Sequence, residues 1–188
     1  GDVCDAERVY RAMDGVHIVF HAAAMKHVPL CEYNPFEAVR TNVIGTQNLV
    51  DAARKHDVER FVSISTDKAV NPTSTMGATK LLGEKIVTNA AISSYKKTKF
   101  CCVRFGNVLA SSGSVIPVFE KQIKDGDTVT LTSNEMTRFF MGIDDAVRLV
   151  LKASELTRRG EIFILKMNAL RVKDLAEVLV EELAPRYG

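Results

Sequence analysis

Short apolar runs alternate with longer amphipathic runs along this chain, and the alternation limits the folds open to it. The apolar runs predict buried strands at 16–21, 60–65 and 99–104. Strands that are apolar on both faces are typical of parallel sheets, whose two faces are covered by helices. Strand–helix alternation favours the same arrangement. The sequence therefore predicts an α/β fold with a doubly wound parallel sheet.

Helical periodicity fills the intervals between these strands. We expect helices at 5–13, within 32–55 with a break near Pro35, and at 74–92, 115–124, 144–156 and 172–183. Asp5 is a candidate N-cap of the first helix, and Gly15 follows its end. Two further short strands are expected at 129–131 and 162–165.

Composition argues against several functional classes. The 188 residues carry a net charge of +2 and no Lys/Arg run with interleaved aromatics, so nothing favours nucleic-acid binding. No apolar stretch approaches the about 20 residues of a membrane helix, and the first residues do not resemble a signal peptide, so we expect a cytoplasmic protein. Cys4, Cys31, Cys101 and Cys102 form no CxxC pair, which favours small buried thiols over a metal or dithiol site.

The glycine-rich turn that normally cradles a dinucleotide pyrophosphate does not occur in these residues. Gly1-Asp2-Val3 is typical of the end of an advanced strand, and residues 184–188 come directly after a predicted helix. We therefore expect a partial dinucleotide-binding fold that has been cut at both ends from something longer.

Thr66, Asp67 and Lys68 come directly after the second predicted strand. In open α/β sheets the carboxyl ends of the strands face the ligand crevice. An acid beside an ammonium group could donate one proton there and accept another. The residues alone leave open a solvated surface ion pair. Met76 and Lys80 share a face of the next helix, and simple packing of Met76 and solvent exposure of Lys80 also remain open.

Several separated motifs occur in one order: 20–42, Thr66–Lys68, Gly106–Val108 with Gly113–Pro117, and Glu135–Met141. Together they resemble the extended short-chain dehydrogenase/reductases and, within them, the polysaccharide-biosynthesis UDP-N-acetylglucosamine 4,6-dehydratases. The similarity covers essentially all of the chain, which is far more specific than one short pattern.

This resemblance implies an NAD- or NADP-dependent hydro-lyase that acts on a UDP-sugar for capsule, O-antigen or flagellin glycans. Hydride leaves C4 of the sugar, a base removes the C5 proton, an acid protonates the leaving C6 hydroxyl, and hydride returns to C6; some members also invert C5. It implies a partial Rossmann-like NAD(P)-binding and catalytic domain at 1–110, a mainly substrate-binding portion at 111–188 interleaved with it, and a homo-oligomer.

The family's functional positions can be matched residue by residue. Asp67 matches the acid, Lys68 the base, and Thr66 a contact near C4 of the sugar. Lys80 matches the residue that holds the nicotinamide ribose hydroxyls. The other cofactor-binding positions are Asp2, Val3, Ala22, Ala23, Lys26 and Asn42. The remaining substrate-binding positions are Asn107, Ser114 and Arg138, of which the arginine fork suits a diphosphate.

Met76 stands where the wider superfamily has the tyrosine of Tyr-x-x-x-Lys, as it does in a methionine-carrying sub-branch. A thioether cannot exchange a proton, so we expect Asp67, or a water that it orders, to be the C4 base. A UDP-sugar 4-epimerase is an alternative, although it would not need the Asp67–Lys68 pair. An inactive sugar-nucleotide-binding or assembly module is another, suggested by the missing glycine-rich turn.

Overall fold

The computed structural model describes residues 1–93, 98–109 and 114–187. The chain divides into two compact units, Gly1–Phe105 with Val147–Leu165 and Gly106–Ala146 with Lys166–Gly188. The domain boundary expected at residues 110 and 111, and Gly113 of the Gly113–Pro117 motif, lie outside the described residues.

The order of elements follows the predicted alternation. The strands are β1 (Ile18–His21), β2 (Arg60–Thr66), β3 (Lys99–Phe105), β4 (Asn107–Val108), β5 (Thr137–Met141), β6 (Ile162–Ile164) and β7 (Ala169–Arg171). The helices are α1 (Ala6–Ala12), α2 (Val28–Tyr33), α3 (Pro35–Val39), α4 (Gly45–Lys55), α5 (Thr75–Ser93), α6 (Val115–Lys124), α7 (Ile143–Leu156) and α8 (Val172–Tyr187).

The sheet of the first unit has four parallel strands in the order β1-β2-β3-β6. Phe61, Phe100 and Cys102 pack on one face with residues of α4 and α5. Val62, Cys101 and Val103 pack on the other face against α7. The prediction of an α/β fold with a parallel sheet covered on both faces is confirmed, because each strand alternates its side chains between two apolar layers.

The helical segment before β2 is broken, as Pro35 suggested. α2 ends at Tyr33, and α3 begins at Pro35 itself, whose missing N–H costs nothing in a first helical turn. A π-helical turn, Arg40–Ile44, then joins α3 to α4. Asp5 accepts a hydrogen bond from the backbone of Arg8 and so caps α1 as expected.

The second unit contains a small sheet in which β4 pairs with β5 in parallel and β5 pairs with β7 antiparallel. Phe119, Val172 and Ala176 form its core together with apolar residues of the loop before β5. The prediction of a strand at 129–131 is wrong, because Val129 and Leu131 pack into this core without pairing with a strand. The strand that pairs with β4 and β7 is β5, which follows later in the chain. α8 extends to Tyr187, four residues beyond its predicted end. In the described part of the chain, no helix is both long and apolar enough to cross a membrane.

Candidate active site

Thr66, Asp67 and Lys68 form a compact turn at the carboxyl end of β2. The ammonium of Lys68 donates to Oδ1 of Asp67 at 3.0 Å, and the hydroxyl of Thr66 donates to the same oxygen at 3.0 Å. The side chains of Asp67 and Lys68 are 25% and 40% exposed. Oδ2 of Asp67 has no hydrogen bond among the described residues, so this oxygen is free to exchange a proton with a ligand.

Gly77 allows the start of α5 to lie directly against that turn. A Cβ at this position would be 2.4 Å from the carbonyl oxygen of Lys68 and 3.1 Å from Cβ of Pro72. The first turn of α5 is further fixed by Glu32, whose carboxylate accepts from the backbone N–H of Thr75 at 2.7 Å and from its hydroxyl at 3.0 Å. These contacts set the position of α5 relative to Asp67.

Lys80 is half-buried and points at the end of β2. Its Nζ atom donates to the carbonyl oxygen of Ile64 at 2.6 Å. Burial lowers the pKa of its ammonium group, because the charged form is disfavoured away from water. The hydrogen bond to a main-chain carbonyl counts against a purely solvated face for Lys80. An ammonium has three donors, and the described residues accept from one of those of Lys80, which leaves two for a ligand.

Met76 packs rather than facing solvent. Its side chain is 5% exposed and lies in a cluster with Cys31 and Ala38, flanked by Met25 and Val28. The packing interpretation of Met76 is thus supported by its contacts. Its thioether fills apolar volume in this cluster and has no proton to exchange.

Asn42 joins the loop after β1 to α5. Its Oδ1 accepts from the backbone N–H of Met25 at 2.8 Å, while Nδ2 donates to the carbonyl of Met25 and to Oγ1 of Thr79, both at 3.0 Å. The π-helical turn gives Asn42 this position, and such turns recur at functional sites. The predicted support of the site by Asn42 therefore has a definite geometry: its side chain ties the two flanking segments together.

His21 ends β1 in a buried position that the sequence motifs did not single out for a role. The hydroxyl of Thr46 donates to the carbonyl of Asn42 at 2.7 Å, so its single proton is already used. Nε2 of His21, 2.9 Å from that hydroxyl oxygen, must therefore be the donor, which fixes the tautomer. Burial, aided by the charge of Lys80, lowers the pKa of His21 to about 4. The signal available in the sequence was a polar residue, His21, at the end of an otherwise apolar strand.

The other predicted cofactor positions lie in two segments of the first unit. Ala22, Ala23 and Lys26 are exposed in the loop after β1. The carboxylate of Asp2 accepts from the backbone of Cys4 at 2.9 Å. A Cβ at Gly45 would be 2.5 Å from Cγ2 of Val3, so this glycine allows the first residues to lie against α4.

A hollow of about 240 Å³ in the second unit brings the three predicted sugar-nucleotide residues together. Asn107, Ser114 and Arg138 all line it. Oγ of Ser114 is buried without a hydrogen-bond partner in the described structure. Hydroxyl residues that the sequence reasoning missed also line the hollow: Thr130, Thr132 and Ser133. A larger hollow of about 400 Å³ lies between α4 and α5 and is lined by none of the predicted site residues.

Comparison with known proteins agrees with these motifs. Residues 1–186 match the family described as polysaccharide biosynthesis protein. An uncharacterized membrane protein of Methanocaldococcus jannaschii is 62% identical over all of this chain and 57% of its own length. UDP-N-acetylglucosamine 4,6-dehydratase (inverting) of Campylobacter jejuni is 45% identical over 98% of this chain and 56% of its own. UDP-glucose 4-epimerase of Rickettsia canadensis is 49% identical over 95% of this chain and 53% of its own length.

Solved structures agree on the fold. The structure of Pen from Bacillus thuringiensis has a TM-score of 0.94 and 48% identity, covering 97% of this chain and 58% of that one. DesIV, a dTDP-glucose 4,6-dehydratase from Streptomyces venezuelae with NAD and TYD bound, has a TM-score of 0.90 and 25% identity, covering 97% of this chain and 62% of that one. The chain spans about half the length of these curated relatives. It belongs to the polysaccharide biosynthesis protein family, which confirms the resemblance seen in the motifs.

Proposed function

From this family membership we propose that the protein is a nucleotide-sugar 4,6-dehydratase that acts on a UDP-N-acetylglucosamine-type substrate in polysaccharide precursor synthesis. The observation that carries the proposal is the hydrogen-bonded pair of Asp67 and Lys68 at the carboxyl edge of the parallel sheet. Elimination of water from a sugar needs an acid and a base close together, and this pair supplies both.

The residues of the first unit fit the nicotinamide end of an NAD-type cofactor. Lys80 keeps two donors for the ribose hydroxyls, and the short side chains of Ala22 and Ala23 leave the loop after β1 open to a ligand. The cofactor, when bound, supplies the hydride acceptor for C4 and the hydride donor for C6. NAD is named in the S. venezuelae structure, and we propose NAD or NADP here.

Asp67 and Lys68 divide the proton transfers between them. Asp67, as a carboxylate, takes the proton of the C4 hydroxyl. Once Asp67 is neutral, it no longer stabilises the ammonium of Lys68, which gives one proton to water and leaves the amine that C5 requires. Lys68 then takes the C5 proton while Asp67 passes its own proton to the departing C6 hydroxyl, which leaves as water. Lys68 returns its proton to C5 when C6 is reduced. Its amine then regains from water the proton that it lost before the elimination, so both groups recover their starting states.

The hollow of the second unit supports a sugar-nucleotide substrate. Arg138 has a planar guanidinium that can make two parallel hydrogen bonds to a diphosphate. The buried hydroxyl of Ser114 has no protein partner in the described structure, and a ligand atom would satisfy it. Asn107 lines the same hollow, and Thr66 of the first unit has its hydroxyl beside Asp67 for contact near C4. Self-association of this chain stays a prediction.

Mass spectrometry of UDP-N-acetylglucosamine incubated with the protein and NAD⁺ or NADP⁺ tests the proposal. Loss of one water from the sugar nucleotide is the expected result. Conversion to the C4 epimer, which has the same mass and is identified by proton NMR of the sugar nucleotide, would instead support a 4-epimerase, the activity named for the R. canadensis relative. No conversion and no retained cofactor would support a binding or assembly module.

A further inference from the structure

A buried ion pair lies one helical turn beyond Lys80. The carboxylate of Glu84, 2% exposed, accepts from Nε of Arg104 at 2.8 Å and from Nη2 at 2.6 Å. The hydroxyl of Ser65 donates to the same carboxylate at 2.5 Å. These three hydrogen bonds supply the partners that a buried carboxylate requires.

Ser65, Glu84 and Arg104, here called the clamp, tie α5 to the two central strands at one level. Ser65 on β2 and Arg104 on β3 are directly opposite each other in the parallel register, so both side chains reach Glu84. Ser65 is followed immediately by Thr66, the first residue of the turn that carries Asp67. The clamp therefore fixes α5 next to the proposed acid and base.

Lys80 and Glu84 are four residues apart on α5, a spacing at which opposite charges normally attract. Nζ of Lys80 nevertheless donates to the carbonyl of Ile64, while the hydrogen bonds to the Glu84 carboxylate in the described structure come from its clamp partners. The other titratable groups facing Lys80 are His21 on β1 and Cys102 on β3. Burial lowers the pKa of His21 to about 4 and raises that of Cys102, so both stay uncharged near neutral pH.

We propose that Arg104 is a positioning residue for Lys80: by holding Glu84, it keeps the Lys80 ammonium turned to the carboxyl end of the sheet, ready to donate to a ligand hydroxyl. The identity of that ligand, the ribose of a nicotinamide dinucleotide, rests on the proposed function. The structural part requires that Lys80 turns towards Glu84 when Arg104 is lost. A residue that only stabilised the fold would leave the titration of Lys80 unchanged.

Nuclear magnetic resonance of ¹³C-labelled lysine side chains measures the Lys80 titration directly, with Lys80→Arg assigning its signal. In Arg104→Gln the uncompensated carboxylate of Glu84 should raise the titration midpoint of Lys80 by about one pH unit. The matched double variant Glu84→Gln with Arg104→Gln removes both charges and should show a midpoint no higher than the wild-type value. Equal midpoints in all three proteins would overturn the proposal.

Arg104→Lys keeps the test open if Arg104→Gln does not fold. A lysine preserves the charge but donates from one point, which frees a carboxylate oxygen for Lys80, so a smaller rise is expected. No rise in a folded Arg104→Lys protein would also overturn the proposal.

Titration with NADH and NADPH, followed by fluorescence, separates this inference from the proposed function. Nucleotide binding that is about tenfold weaker in the variants with a raised midpoint would support both the positioning role of Arg104 and the cofactor role of Lys80. A tenfold change corresponds to one lost hydrogen bond of ordinary strength. If the Lys80 midpoints differ between the variants as expected but the wild-type protein binds neither nucleotide, the proposed cofactor role of Lys80 is wrong. The proposal that Arg104 positions Lys80 would still stand.

Discussion

Lys68 donates from Nζ to Oδ1 of Asp67 across 3.0 Å, so two neighbours in sequence form one partly exposed ion pair beside the free Oδ2. Asp67→Asn cannot exchange the proton, and we expect turnover to fall by about 10²–10⁴. The free energy of unfolding should change by no more than about 1 kcal/mol, because water screens the pair. Mass spectrometry of the product and urea unfolding measure the two effects.

Lys152→Met is a matched control for that loss of a charged pair. Lys152 contacts Glu155 at 3.2 Å on the exposed surface of α7, and neither of them is a predicted site residue. This control should keep wild-type turnover. An Asp67→Asn protein as active as this control would show that Asp67 carries no proton in the reaction.

Replacement of Met76 tests whether its thioether acts only by packing. Met76→Leu conserves apolar volume, so we expect turnover to be kept and the free energy of unfolding to fall by less than about 1.5 kcal/mol. Met76→Tyr adds a ring to a cluster that already contains Cys31 and Ala38, and overpacking should cost about 1–3 kcal/mol. Assay of both variants decides the matter: a folded but inactive Met76→Leu protein would contradict the packing role.

Truncation of Asn42 should destabilise the first unit. Asn42→Ala removes three hydrogen bonds and leaves the backbone N–H of Met25 without its partner. The Met25 carbonyl and the Thr79 hydroxyl each keep a second contact, so we expect the penalty of about 1–3 kcal/mol for an unsatisfied group once, together with about 1 kcal/mol for each of the other two bonds. Urea unfolding should show a loss of about 3 kcal/mol, since water can relieve some of these groups. Asn48→Ala, which removes a single hydrogen bond to the carbonyl of Val3, is the milder control. An equal loss of unfolding free energy in the two variants would contradict the role of Asn42 in tying the loop after β1 to α5.

Stability should fall in acid because of His21. Its pKa is about 4 in the folded protein against 6.5 for the free side chain, so between these values the unfolded chain binds the extra proton. The contribution of neutral His21 to the free energy of unfolding is then fully present above about pH 6.5. It is lost as the pH falls towards 4, by about 3 kcal/mol in total. Unfolding by urea across this range measures the slope.

His21→Gln removes the titrating group and should flatten that dependence. The exposed His17, changed in the same way, is the control and should leave the slope as it is. A wild-type protein whose stability does not change between pH 6.5 and 4 would contradict the buried neutral state of His21.

The first three strands and most helices were predictable because their signals are local. Apolar runs mark strands buried on both faces, and capping residues such as Asp5 mark helix starts. The failure at 129–131 had a physical cause: Val129 and Leu131 bury their side chains in a core, which the sequence signals, but find no strand to pair with. β4 is two residues long, too short for any periodicity to show.

For the candidate site, the sequence by itself determined the chemistry and its chain position: an acid and an ammonium directly after a buried strand, with a lysine on the following helix. Only the tertiary structure decided which groups support them. Asn42 meets Thr79 across 37 residues, and Arg104 meets Glu84 across 20. Such partners carry no local signature, because strand register and helix packing bring them together, and the buried position that gives each contact its energy exists only in the folded chain.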